Sequence, residues 1–149
     1  TADGREIAFQ LDLRMSRQEI KEELRRMEGD PKIRERRRQI QRQLAMQRMM
    51  AAIPKAAVVI TNPTELAIAL QYEESMSAPK VLAKGADLIA GRIRELAHEH
   101  GIPIVERKPL AQALFHAVKV GQEVPSQFYE AVAEVLAYVY SLRGAPSPA

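Results

Sequence analysis

The clearest hydrophobic pattern lies in the middle of the chain, on both sides of a short polar turn. Residues 56–61 form a short, almost wholly apolar run, and residues 66–72 alternate between large apolar and small or polar side chains. Both patterns predict β-strands, because alternate residues of a strand point to opposite faces. Only Asn62-Pro63-Thr64-Glu65 separates the two runs. The pattern therefore predicts an antiparallel pair joined by a tight Asn-Pro turn.

Towards the C-terminus the apolar period changes to that of helices. A long helix is predicted from Ser77-Ala78-Pro79 to a stop at Gly101, with Lys80 and Lys84 on its first turns. A third strand is expected at residues 102–106, and prolines then open a short helix at Pro109 and a last helix at Pro125. Together these elements predict an α/β fold, with a small mixed β-sheet of about four strands surrounded by helices.

The N-terminal third has a different character, which predicts an extended helical arm. Residues 1–15 show no clear periodicity and are interpreted as a linker, whereas a capping box at Ser16 predicts a helix to about residue 28. Asp30-Pro31 suits the N-cap and first position of a second helix, which is expected to run to about residue 52. Neither helix has more than a thin apolar stripe, so neither buries much surface alone.

The predicted organisation therefore has three parts. Residues 1–54 are a linker and a basic helical arm, residues 55–143 are a compact α/β domain, and residues 144–149 are a short tail of small residues and proline that we expect to be disordered. Four methionines of the arm allow two interpretations, an adaptable binding surface or packing of the arm against the domain. They are Met27, Met46, Met49 and Met50.

The composition excludes several classes of site. The chain has no cysteine, which excludes disulfides, zinc-thiolate sites and cysteine nucleophiles, and a reducing compartment is expected. No Gly-rich phosphate loop, catalytic triad or carboxylate pair is recognisable, and the three histidines are expected at the surface, so we expect no cofactor and no metal. No apolar run approaches the ~20 residues that cross a bilayer. Because the chain begins without Met, we expect it to be a piece of a longer protein.

The positive charge is concentrated in the arm. The net charge is +3, and the stretch from Lys32 to Arg48 contains seven basic residues against Glu35 alone. Such a stretch is consistent with neutralisation of nucleic-acid phosphates, contact with anionic lipid headgroups, or a solvated helix face. Aromatic residues make up 5% of the chain and tryptophan is absent, so little material exists for stacking on bases. We expect no specific nucleic-acid partner.

Asn62-Pro63 brings together residue types that favour one reaction of the backbone. An Asn side chain normally cyclises by attack of the next backbone nitrogen, but Pro63 has no N–H and closes that route. The reverse route remains, in which the Asn62 amide nitrogen attacks its own carbonyl carbon and expels the Pro63 nitrogen. A fold accelerates this step by near-attack geometry, a strained turn, an oxyanion donor and a nearby base. Asn-Pro is equally an ordinary turn dipeptide, so a turn that is never cut is the alternative.

A family resemblance favours the cut. The central part of the chain resembles the cytoplasmic domain of the FlhB/YscU/SpaS family of flagellar and virulence type III export-switch proteins, and the match covers roughly residues 10–143. It is carried by VVITNPT at 58–64, ALQY at 69–72, MSAPKVLAKGA at 76–86 and RIRE at 92–95, and in the arm by LRMS at 13–16 and MEGDP at 27–31.

The resemblance implies a function and a location. It implies an integral membrane protein at the cytoplasmic face of the bacterial inner membrane, which cuts itself after Asn62 and switches export from rod- and hook-type to filament-type substrates. The implied partners are its own transmembrane domain, an FlhA-type cytoplasmic domain and other export components, a hook-length-control protein, and export substrates. The reaction is a single intramolecular turnover, so the protein is not expected to be a turnover enzyme. The alternative is an uncleaved protein-docking module of a secretion apparatus.

The site predicted from the turn and the resemblance consists of Asn62, Pro63, Thr64 and Glu65. The family motif is Asn-Pro-Thr-His, and Glu65 stands where the histidine would be. A carboxylate accepts a proton or a hydrogen bond as an imidazole does, but it adds negative charge beside a developing oxyanion. Because the Asn-Pro pair that cyclises is intact, we expect cleavage to remain, at an altered rate.

Overall fold

The structure is a computed structural model of the 149-residue chain, and it describes residues 17–26 and 29–143. The predicted linker, the capping residue Ser16, Met27 and the C-terminal tail lie outside the described residues. By contacts, the chain divides into two compact units between Ala45 and Met46. The predicted organisation into arm, domain and tail stays a prediction. Within the described residues, no helix has both the length and the apolar character needed to span a membrane.

The arm is helical in its described part. Residues 17–26 are helical, and a second helix, α1, runs over Pro31–Ala52, close to its predicted bounds. Asp30 caps α1 as predicted, because its side-chain Oδ1 accepts a hydrogen bond from the backbone N–H of Lys32 at 2.9 Å. Ile40 and Leu44 of α1 are 43% and 51% exposed, so this helix keeps only a thin apolar stripe.

The last turns of α1 belong to the second unit and enter its core. Met49 is buried, and Met46 and Met50 are half-buried against the same hydrophobic cluster as Ile53, which is wholly buried in the 3-10 turn that follows the helix. The packing interpretation is therefore confirmed for these three methionines. Met27, the fourth, is not among the described residues.

The second unit is built on a mixed sheet of four strands, as predicted. The strands lie in the order β3-β2-β1-β4. They are β1 at Val58–Asn62, β2 at Leu66–Gln71, β3 at Lys80–Ala86 and β4 at Ile104–Glu106. The pair β1–β2 is antiparallel as predicted, and its register places Asn62 opposite Leu66 at the end next to the turn. β3 is antiparallel to β2, and β4 is parallel to β1.

Helices cover both faces of the sheet. They are α2 at Leu88–Glu99, α3 at Lys108–Ala117 and α4 at Tyr129–Leu142, the last preceded by a 3-10 turn at Ser126–Phe128. One core contains Val58 and Ile60 of β1 with buried residues of α3 and α4, and the other contains Val59 with buried residues of α1 and α2. β1 is therefore buried along its whole length, as is typical of a strand covered on both faces.

The predicted long helix from Ser77 is wrong in its first half. Residues 80–86 form strand β3, and the helix begins only at Leu88. Lys80 and Lys84 therefore lie on a strand, and the Lys84 ammonium donates to the Phe115 carbonyl at 2.6 Å. The error has two physical causes. A strand covered on both faces does not alternate cleanly between apolar and polar residues. In addition, Leu82 and Ala86 are four residues apart, so they match the helical spacing of the apolar residues in α2.

Gly85 of β3 allows α2 to lie close to the sheet, and this gives a stability prediction. A Cβ added at position 85 would lie 2.7 Å from the Cβ of Ile89, which is too close. The Ile89 Cβ is fixed by the backbone of α2, so it is unable to move aside. We expect Gly85→Ala to lower the free energy of unfolding by about 1–3 kcal/mol through overpacking. Urea denaturation measures this.

Gly91→Ala on α2 is the matched control. Its new Cβ would lie 3.7 Å from Nη2 of Arg94, an ordinary contact. Because alanine replaces glycine inside a helix, this variant should gain about 0.5–1 kcal/mol. Equal effects of the two substitutions would contradict the close approach of β3 and α2.

Candidate functional site

Asn62 is the last residue of β1, and its surroundings are unusual for a polar side chain. It is 6% exposed, and with Thr61, at 4%, it makes up the buried polar residues of the described chain. The strand end is fixed from the neighbouring β4, because the Thr61 carbonyl accepts a hydrogen bond from the N–H of Arg107 at 2.9 Å. Arg107 directly precedes α3, so the start of that helix holds the end of β1 in place.

The four residues from Asn62 to Glu65 form a closed β-turn. The N–H of Glu65 donates to the Asn62 carbonyl oxygen at 3.0 Å. Proline at the second position and a positive φ of 62° at Thr64 are the pattern of a type II turn. Glycine is preferred at that third position, and a β-branched residue there is an outlier that costs on the order of 1–2 kcal/mol. The turn is therefore strained at Thr64, next to the bond that the proposed reaction breaks.

The side chains of Asn62 and Glu65 contact each other across this turn. The amide nitrogen Nδ2 of Asn62 donates a hydrogen bond to Oε2 of Glu65 at 3.2 Å. Glu65 is exposed, so water reaches the carboxylate while the Asn62 amide is buried. The same residue thus contacts both ends of Asn62: its carboxylate accepts from the amide nitrogen, and its backbone N–H donates to the carbonyl oxygen.

A second helix begins beside the turn. The N–H of Asp87, the residue before α2, donates to the Glu65 carbonyl at 2.9 Å. The Asp87 N–H therefore bonds to the last residue of the turn, while the Arg107 N–H before α3 bonds to Thr61, the residue just before it.

The four predicted site residues are contiguous, and the structure places them in one strained turn at the end of β1. Sequence reasoning missed Arg107 and Asp87, whose backbones hold the turn. Arg107 follows the predicted third strand, so parallel pairing of that strand with β1 would have pointed to it. For Asp87 there was no signal, because the wrong helix prediction placed it inside a regular helix.

Comparison with known proteins gives the family. The family described as FlhB HrpN YscU SpaS matches residues 5–139 of the chain. The chain belongs to this family. Among curated relatives, the flagellar biosynthetic protein FlhB of Salmonella typhimurium is 52% identical over 146 residues, which cover 94% of this chain and 38% of that protein. The chain thus spans under two fifths of the length of the FlhB relatives it matches.

Solved structures of the FlhB family share the fold. The cytoplasmic domain of FlhB from Shewanella putrefaciens superposes with a TM-score of 0.63 at 45% identity, covering 66% of this chain and 76% of that domain. A mutated EscU C-terminal domain gives a TM-score of 0.59 at 33% identity, covering 61% of this chain and 92% of that domain. The predicted α/β architecture is therefore confirmed both by the structure and by its relatives.

Proposed function

We propose that this chain is the cytoplasmic switch domain of a type III export protein and cuts itself once, between Asn62 and Pro63. One observation carries the proposal: Glu65 bonds to both the amide nitrogen and the carbonyl oxygen of Asn62. These are the nucleophile and the developing oxyanion of an asparagine cyclisation. A base near the nucleophile and a donor on the oxyanion are the groups such a reaction needs.

The reaction begins at the Asn62 side chain. Nδ2 attacks the backbone carbonyl carbon of Asn62, and the proton it loses passes to the Glu65 carboxylate, its hydrogen-bond acceptor. A tetrahedral intermediate forms, and its negative oxygen is the carbonyl oxygen that already accepts from the Glu65 N–H at 3.0 Å. Because this donor is in place before the attack, it costs no reorganisation during the step.

The reaction ends with loss of the Pro63 nitrogen. The C–N bond between Asn62 and Pro63 breaks, and the proline nitrogen takes up the proton that Glu65 received from Nδ2, so that it leaves as a secondary amine and the Glu65 carboxylate is regenerated. Asn62 becomes a C-terminal succinimide, which water then opens. The cut releases the turn that holds Thr64 at positive φ, so strain of on the order of 1–2 kcal/mol favours the product.

The two fragments should stay together after the cut. All five residues of β1 are buried and paired with β2, and the fragment that ends at Asn62 keeps this strand. Burial of Val58, Val59 and Ile60 contributes up to about 1.5–3 kcal/mol each. The nick therefore frees the surface of the turn while the fold persists, which suits a switch.

Purified protein gives the direct test. On incubation at neutral pH, denaturing gels and intact mass should resolve two fragments, residues 1–62 and 63–149, while gel filtration gives a single peak. A chain that stays whole after long incubation would exclude self-cleavage and leave the uncleaved docking module as the function. Two separate peaks on gel filtration would contradict the persistence of the β1–β2 pair.

The wider role follows from the family. In the full-length protein the domain would lie at the cytoplasmic face of the inner membrane and switch export from rod- and hook-type to filament-type substrates. Its partners would be the FlhA-type cytoplasmic domain, the hook-length-control protein and the export substrates. Membership of the FlhB family and the 52% identity to a flagellar FlhB support this assignment.

The arm is assigned to the membrane surface. The basic side chains from Lys32 to Arg48 are exposed, as are Ile40 and Leu44 of the same helix. A basic helix with a thin apolar stripe favours contact with anionic lipid headgroups. Sedimentation with vesicles containing anionic lipid should show binding that falls as salt rises, with no binding to neutral vesicles. Equal binding to random DNA and to anionic vesicles would contradict a preference for lipid, because nonspecific charge attraction alone would then explain the binding.

A further inference from the structure

Glu65 is fixed at three points, and one of them comes from outside the turn. Its N–H donates to the Asn62 carbonyl, and its carboxylate accepts from the Asn62 amide. Both of these bonds lie within the turn itself. The third bond runs from the N–H of Asp87 to the Glu65 carbonyl at 2.9 Å. It fixes the peptide plane that follows Glu65, just where the β2–β3 ladder ends with Leu66 opposite Ala86.

Asp87 makes this bond in a backbone conformation that normally requires glycine. Its φ is 51° and its ψ is −112°, which matches the first central position of a type II′ turn. Within the described residues, Thr64 and Asp87 are the non-glycine residues with positive φ. The Asp87 side chain is exposed and makes no capping bond to α2, so it does not explain the conformation. Both strained residues are therefore joined to Glu65: Thr64 precedes it in the chain, and Asp87 donates a hydrogen bond to its carbonyl.

We propose that Asp87 is a positioning residue for self-cleavage, acting through its backbone. Its N–H holds the Glu65 peptide so that the carboxylate stays on Nδ2 of Asn62 and the Glu65 N–H stays on the carbonyl oxygen. The inference rests on the proposed cleavage and adds a residue 25 positions beyond the cut. If the corner at residue 87 relaxes to negative φ, this N–H turns away, and both groups of Glu65 lose their orientation.

The test compares two substitutions at position 87 with a matched control. Asp87→Val places a β-branched residue at positive φ and should slow cleavage about tenfold, because the strained corner relaxes. Asp87→Gly adopts this conformation freely and should restore most of that rate, although it too lacks the carboxylate. Gly101→Val is the control: Gly101 also has positive φ, at 66°, and open space for a side chain, but lies beyond the far end of α2. It should cut at the unsubstituted rate.

A double-substitution cycle separates positioning from general loosening of the fold. In a Glu65→Gln background, which lacks the base, Asp87→Val should slow cleavage by a smaller factor than in the unsubstituted chain, because only the backbone N–H donor is left to lose its position. A merely structural effect would multiply the two losses. Thermal unfolding, measured with Asn62→Ala added so that no chain is cut, should show similar losses for Asp87→Val and Gly101→Val.

Each outcome decides between explanations. If the unsubstituted chain is not cut, the proposed function itself fails. If it is cut and Asp87→Val cuts equally fast, the positioning role fails while cleavage stands. If Asp87→Gly is as slow as Asp87→Val, the carboxylate rather than the backbone acts, and the inference is overturned. Multiplicative losses in the double cycle would overturn it as well.

Discussion

Asn62→Ala should leave the chain whole, with no detectable cut between residues 62 and 63. The substitution removes Nδ2, the only atom of the turn that both reaches the Asn62 carbonyl carbon through a five-membered ring and contacts a base. Pro63 has no N–H to replace it. The fold should persist, because the lost hydrogen bond to Glu65 is worth about 0.5–1.5 kcal/mol. Intact mass after long incubation at neutral pH measures the loss of cleavage, and circular dichroism checks the fold.

Asn62→Asp is the matched variant for this prediction. It keeps the size of the side chain and replaces the nitrogen with oxygen, so it should also stay whole at neutral pH. It places a second carboxylate opposite Glu65, and like charges at this separation repel. Cleavage of either variant at the unsubstituted rate would refute asparagine cyclisation.

Asn62→Ala also tests whether the cut is needed for the switch in export. In the full-length protein, Asn62→Ala should hold the apparatus in its rod- and hook-type state, measured by the filament-type proteins that cells secrete. A normal switch with an uncut protein would make cleavage incidental and support the docking module. The reason to expect coupling is structural: the Asn62 carbonyl and amide both bond to Glu65, and these bonds favour one arrangement of the turn while the chain is intact.

The sequence predicted the fold well where the period of apolar residues was unambiguous. The pair β1–β2 and the start of α1 at Pro31 were found because alternation, the Asn-Pro turn and the Asp30 cap are local features. β3 was missed because its pattern is not local. Both faces of this strand are covered, so it lacks alternation, and its length is set by pairing with β2 and by α2 packing on Gly85.

The candidate site likewise contains features that the sequence could predict and features that it could not. Asn62 and Pro63 are consecutive, so the proposed reaction could be predicted from the sequence without a structure. The contact between Nδ2 and Glu65 depends on turn geometry, which a three-residue separation allows but does not fix. The bond from Asp87 to Glu65 joins residues 22 positions apart across the end of a strand that was predicted as helix. No local pattern predicts such a contact, because it follows from strand pairing.

Glu65→Gln should slow cleavage by on the order of 10²-fold, the usual loss when a general base is removed. Glutamine keeps the length of the side chain and an oxygen that accepts from Nδ2, but it does not take up the proton. The backbone N–H of residue 65 remains in place, so the donor to the Asn62 carbonyl is common to both chains. The ratio of the cleavage rates of the glutamate and glutamine chains therefore measures the contribution of proton transfer, separately from that of oxyanion stabilisation. First-order rates come from gel densitometry of freshly purified chains.

Glu65→His tests the base further, because histidine is the residue that the family resemblance implies at this position. A neutral imidazole that accepts the proton becomes a cation beside the developing oxyanion, whereas a carboxylate that accepts it becomes neutral. At about 4 Å the attraction of that cation for the oxyanion is worth about 1 kcal/mol even at the dielectric constant of water, so the histidine chain should cut several-fold faster than the glutamate chain. High salt should narrow the difference, since it screens this attraction. Equal rates for glutamate, glutamine and histidine would mean that strain at Thr64 and the backbone donor drive the reaction without a base.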